Sequence, residues 1–262
     1  MKGRKQAQVE SVLKELGMEA LEERLQSAAA LPARPAYRLT SLIAESAPRG
    51  KAVLVWEVVR PGPASSPADL ARLARQYVSL GADALAVRTD AADSPSALAD
   101  LWAVTQAVKV PVLARDWVIH PLQVVDAKEA GAAGVLGVIH QDAPVEVVNA
   151  QEMDSLSRAG VAFFGINLSI GLSLPISGFA EDVAHGLLGR LPFGAVSLVG
   201  VKTIDEARTA RQSGADALLI KQELIAAHSD AAAAKEAASN PFAMSGLRRL
   251  TEELQYVTSG DE

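Results

Sequence analysis

The residues with the means to do chemistry stand at the ends of short apolar runs, where a buried strand would release side chains toward solvent. Glu57 and Arg60 follow "AVLVW", Arg115 and Asp116 follow "VPVLA", Asn167 and Ser169 close "VAFFGINLS", Gly200 closes "AVSLVG", and Lys221 and Gln222 follow "ALLI". Arg88, Asp90, His120 and His140 hold similar positions, and Glu146 lies in the brief run "VEVV". Carboxylates such as Glu57 and Glu146 exchange protons; Arg60, Arg115 and Lys221 offer positive charge to an anion; Asn167, Ser169 and Gln222 offer hydrogen bonds that orient it. Each also has a plainer reading. Glu57 can pair with Arg115 or Arg60, Arg115 and Asp116 can close the strand end as an ion pair, Asn167 can cap a turn, Lys221 can be a solvated loop charge, and the two histidines can be hydrogen-bonded structure.

Several classes of function are excluded or disfavoured at once. There is no cysteine, so disulfides, thiolate catalysis and cysteine metal sites are ruled out. The four histidines show no ligand spacing, and no metal or cofactor is expected. The net charge is −6, with acids and bases interspersed, so no basic face exists to follow a phosphate backbone, and nucleic acid is not an expected partner. The charged, helix-like start lacks an apolar signal core, and no run approaches the ~18–20 apolar residues of a membrane span. A soluble cytoplasmic protein is expected; a processed protein of an organellar stroma or matrix would read the same.

These residues need elements to position them. Residues 9–30 read as helix, with Val12, Leu13, Leu16, Leu21 and Leu25 at helical spacings, and 37–47 as a second, shorter helix. From Ala52 onward, apolar runs alternate with amphipathic segments ending in "GAD" or "GAA", where Gly supplies a left-handed helix cap before the next strand. Seven strands are expected, at 52–59, 84–89, 110–115, 134–140, 161–167, 195–200 and 217–221. Residues 145–148 are open between a strand and the first turn of a helix capped by Asp142. Only four residues would separate such a strand from the one before, whereas a parallel crossover takes a dozen or more. The pattern suits a (β/α)8 TIM barrel, and no G-x-G-x-x-G follows the first strand to support a dinucleotide-binding sheet. The expected division is a helical extension over 1–50, the barrel over 51–228, and a helical tail over 229–262 that packs on the barrel or extends from it.

Read in order, the strand ends resemble those of the indole-3-glycerol phosphate synthase family, from about Lys51 to Ile225. The stretch "VPVLARDWVIHPLQVVDAKEAGAA" is similar to the family's P-V-L-x-K-D-F-I-x-D-P-Y-Q-I-x-E-A without a gap, and "VRTDAADSPSALADLWAV", "FFGIN", "SLVGVKTIDEA" and "GADALLIKQELI" match further family segments. The resemblance implies ring closure and decarboxylation of carboxyphenylamino-deoxyribulose phosphate, a step of tryptophan biosynthesis. It also implies an N-terminal extension over the barrel mouth and a site built from Glu57, Arg115, Glu146 and Asn167, with phosphate or substrate contacts at Arg60, Ser169, Gly200, Lys221 and Gln222.

The departures fall on that same set. The family's first-strand catalytic Lys is Val59, its third-strand general-acid Lys is Arg115, its Arg after "GIN" is Ser169, its seventh-strand Glu is Leu198, and the Gly after its eighth strand is Lys221. Valine neither donates a proton nor carries charge, and a guanidinium does not release its proton near neutral pH. Three functions therefore stand open: a binding or regulatory member with lost or strongly reduced synthase activity, an active synthase with a rewired acid-base set, and another phosphosugar-binding barrel enzyme. A phosphorylated small molecule is the expected ligand, and the C-terminal tail is a candidate surface for a protein partner.

Overall fold

The computed structural model describes residues 2–30, 39–90, 96–138, 146–147, 163–167, 185–229 and 245–255. Eight parallel strands run β1 (Val53–Val58), β2 (Ala84–Arg88), β3 (Val112–Val118), β4 (Gly134–Val138), β5 (Glu146–Val147), β6 (Phe163–Asn167), β7 (Val196–Val201) and β8 (Ala217–Ile220). They lie in one sheet of order β4-β3-β2-β1-β8-β7-β6-β5. Consecutive strands neighbour one another through the β8–β1 pairing, which wraps the sheet into a nearly closed barrel. Among the described residues no ladder joins β4 to β5.

Residues 145–148 were open between two readings, and the strand is what forms: Glu146 pairs with Gly165 and Val147 with Ile166. Among the described residues its partner is β6. β3 outruns its expected end at Arg115 by three residues, to Val118.

Alternation along the strands makes two cores. Leu54, Trp56, Val58, Leu85, Val87, Val112 and Ala114 face outward to the helices. Val53, Val55, Ala84, Ala86, Leu113, Leu198, Ala217 and Leu219 fill the interior, where alanines at three of these positions make room. The outer helices are α4 (Pro67–Ser79), α5 (Ala97–Ala107), α6 (Pro121–Glu129), α7 (Ile204–Gln212), α8 (Gln222–His228) and α9 (Ser245–Gln255). Ser66 caps α4 in a capping box with Asp69, and Pro67 supplies its first residue. The glycines of "GAD" and "GAA" do end helices as the sequence suggested, with φ of 104°, 85° and 95° at Gly81, Gly131 and Gly214. The aspartates that follow two of them pin neighbouring strands: Asp83 accepts from Leu54 N and Asp216 from Ser197 N.

Before the barrel come α1 (Lys2–Leu16), α2 (Met18–Ala30) and α3 (Leu39–Ser46). The single helix expected over 9–30 is broken at Gly17, whose φ is +78°. α3 leads directly into the start of β1 and adds Leu39 and Ile43 to the interior cluster, so it plugs the N-terminal end of the barrel. The opposite end, where the strands terminate, is left for the polar side chains.

Candidate functional site at the strand ends

Two residues beyond Val55 on the inward face is Glu57, and the same parity brings Arg88 after Ala86 and Arg115 after Leu113. The three meet. Glu57 is fully buried; its Oε1 accepts from Arg88 Nε at 3.0 Å and from Arg115 Nη1, and its Oε2 accepts from the backbone N–H of Gln222 at 2.9 Å. One carboxylate thus ties β1 to β2, β3 and the end of β8. Burial alone would push its pKa up, but the charges of Arg115 and Arg88 and the Gln222 N–H outweigh it and hold Glu57 below the usual carboxylate range.

Lys221 completes this layer. It is 5% exposed, and its Cε lies only 2.8 Å from where a side-chain Cβ on Gly200 would stand. Gly200 is therefore the residue that lets the Lys221 side chain cross β7, and Gly200 itself pairs with Asn167 of β6. Gln222 contributes its backbone N–H to Glu57, while its side-chain Oε1 is buried without a hydrogen-bond partner among the described residues. Asn167 and Glu146 are placed by backbone pairing, and Ser169 and His140 lie outside the described residues.

Two residues stand differently from what the sequence suggested. Arg60, read as a substrate or phosphate contact, makes structural bonds: Nε and Nη2 each donate to Asp100 at 2.7 Å, Nη2 also donates to Ser96 Oγ, and Nη1 donates to Ser65 O. Asp100 is almost wholly buried, so its charge needs this bidentate partner. Arg115 and Asp116 do not pair with each other, because adjacent strand residues point to opposite faces. Asp116 turns outward and accepts from Lys5 Nζ at 2.6 Å, with Asp90 3.6 Å from the same ammonium. Burial raises the Asp116 pKa despite Lys5.

β3 is irregular at this point: its ladder with β4 shifts register between Arg115 and Val118. Gly137 permits the close approach, with φ of +82° and no room for a Cβ against the carbonyl oxygen of Asp116. His120, as its structural reading held, caps α6: Nδ1 accepts from Leu122 N, and Gln123 Oε1 accepts from His120 N.

Arg88 and Lys5 are the site residues that sequence reasoning did not carry forward. For Arg88 the signal was parity, two positions past Ala86. For Lys5 it was helical spacing, since Lys5, Val9 and Val12 share one face at i, i+4 and i+7. Among the described residues no group of three or more His, Asp or Glu side chains is arranged to hold a metal ion.

A parallel eight-stranded barrel, plugged at the strand starts and lined at the strand ends by Glu57, Arg88, Arg115 and Lys221, defines a protein of the (β/α)8 class. Within that class, the chain belongs to the indole-3-glycerol phosphate synthase family, whose model matches residues 1–141, just over half of its length. It is 30% identical over 248 residues to the indole-3-glycerol phosphate synthase of Syntrophobacter fumaroxidans, covering 86% of this chain and 87% of that one. Against the Arthrobacter enzyme it is 29% identical over 223 residues, covering 76% and 80%. Among solved structures, (S)-3-O-geranylgeranylglyceryl phosphate synthase from Thermoplasma acidophilum, in complex with sn-glycerol-1-phosphate, shares the fold. Its TM-score is 0.52 at 13% identity, over 83% of this chain and 98% of that one. No described helix is long and apolar enough to cross a membrane.

Proposed function

We propose that this chain is a binding or regulatory member of its family that holds a phosphorylated or carboxylated small molecule at the barrel mouth and has lost most or all synthase activity. The observation that carries this is Arg115. It occupies the position that the resemblance assigns to the general-acid Lys, its side chain is a guanidinium where that role needs an amine, and it is bonded to the buried carboxylate of Glu57. Val59, one residue past β1, stands where the other catalytic Lys would be. Loss of a positioned proton donor costs roughly 10²–10⁴-fold in rate, before the loss of the seventh-strand Glu at Leu198 is counted. What the mouth keeps is positive charge, from Arg88, Arg115 and Lys221.

The test is rescue of a tryptophan auxotroph blocked at indole-3-glycerol phosphate formation. No growth is expected, and robust growth would overturn the reading. Restoring the amines with Val59→Lys and Arg115→Lys together should then raise ring closure in the purified protein. Calorimetry with inorganic phosphate, the synthase substrate and simple ketose or aldose phosphates identifies what the mouth holds. Turnover of one of the sugar phosphates would favour another phosphosugar-binding enzyme instead.

A further inference from the structure

On the outer side of β3, across the strand from Glu57, lies a cavity of about 240 Å³ between α1, α5 and α6. Its apolar wall is formed by Val9 and Val12 of α1, Leu98 of α5, Val118 of β3, Leu122 of α6 and Val135 of β4. Val12 and Leu98 are 42% and 47% exposed, so two apolar side chains stand uncovered at the opening.

The charged groups that reach this wall are already paired, and Gln123 is bonded as well. Lys5 holds Asp116. Gln123 donates to Asp116 Oδ2 and Trp117 O while its Oε1 accepts from Ile119 N. Asp126 accepts from Arg24 of α2 at 2.8 Å. An occupant therefore gains chiefly apolar surface, whereas a charged one would leave water for a wall whose ions are taken.

We propose that this cavity is a second ligand site, separate from the barrel mouth, for a small uncharged molecule of about one ring in size, and that occupancy fastens α1 to the barrel. The size follows from volume: an apolar cavity of about 150 Å³ accepts benzene, so this one accommodates a ring with small substituents. The fastening follows from the walls. One side is α1 and the other is the barrel, so a ligand that touches both favours the docked helix by mass action. It would also settle against Asp116, the immediate neighbour of Arg115, so that the two sites share the end of β3.

The full chain is titrated with toluene, and with benzoate and benzylamine as charged molecules carrying the same ring. Methyl resonances of Val9, Val12, Leu98, Val118 and Leu122 report binding, and amide exchange in α1 reports docking. Saturable shifts with toluene are expected, with both charged compounds at least about tenfold weaker, because the wall's own ions are already paired with each other or with Arg24. At toluene concentrations ten times its Kd, exchange that requires α1 to undock should slow by about tenfold. Leu98→Trp and Val12→Trp fill the opening from opposite walls at exposed positions that tolerate bulk; each should abolish the toluene shifts with the melting temperature unchanged. The proposal is overturned if toluene does not saturate, if either charged compound binds as tightly, if α1 exchange is unaffected, or if toluene binding survives in both folded variants.

Discussion

At the scale of single residues, the mouth is organised by one carboxylate, and its removal is informative. Glu57→Gln leaves Arg88 and Arg115 facing each other without the negative charge between them, and breaking a buried pair in this way costs about 3–5 kcal/mol. Urea unfolding near neutral pH should show that loss. The pH dependence has a definite sign. Glu57 has a folded pKa below its ordinary value, so its contribution is present above that ordinary value and is lost as the pH falls through the lower, folded one. Asp116, raised by burial, has the opposite sign and loses its contribution as pH rises through its folded pKa. The wild-type stability curve should therefore fall on the acid side, and the Glu57→Gln curve should be flatter there, as denaturation over a pH series would reveal. Gly200 makes a separate point. A methyl at Gly200 meets Lys221 Cε, the yielding end of a flexible side chain, so Gly200→Ala should displace the ammonium and leave the fold intact. If Lys221 contacts a bound anion, phosphate affinity should fall about tenfold or more, the worth of one hydrogen bond to a charged group. Unchanged affinity in calorimetry would place Lys221 outside the binding set.

At the scale of elements, β3 is where the fold departs from regularity, and Gly137 is what allows it. Gly137→Ala forces a side chain into a left-handed conformation and against the Asp116 carbonyl. A cost of at least about 1–3 kcal/mol is expected from the conformation alone, with the backbone contact adding to it. Proton exchange at β3 and β4 amides should accelerate before that at β1, β2 and β8. The same strand shows what could be read in advance. The alternation of β and α segments, the glycine caps and seven of the strands were visible because they repeat and because each is enforced by local chemistry. The partners of the strand-end charges were not, since a sequence shows that Arg60, Arg88 and Arg115 are cations but not which buried carboxylate each must neutralise. Arg60 went to Asp100 across the β1–α5 junction, a contact separated by forty positions, and Arg88, which was not among the expected partners, joined Arg115 beside Glu57. Residues 145–148 resisted reading for a different reason. The strand described there has two paired residues, too few for periodicity to tell it from a helical turn.

At the scale of the whole molecule, the segment expected as a tail is partly a wall. α9 packs against β1, α7 and α8, where the eighth outer helix of a barrel belongs. Its Leu247, Leu250 and Leu254 are buried. Gln255 accepts from Ala52 N at the entry to β1 and donates to Gly81 O beyond α4, and Glu253 accepts from Arg208 of α7. Residues 245–255 thus close the seam between the last strand and the first, and their apolar face is already used. Shortening the chain to end at residue 244 would expose those three leucine sites. At about 1.5–3 kcal/mol for each, the loss approaches the 5–15 kcal/mol that holds an ordinary domain together. The shortened chain should therefore lose cooperative thermal unfolding by circular dichroism and bind dyes that report exposed apolar surface. A free partner helix predicts the reverse: the shortened chain would melt as the full one does and lose only an interaction. The burial of Leu250 and Leu254 is what makes the first outcome the expected one, because a helix that docked elsewhere by this face would have to uncover the side chains that seal β1.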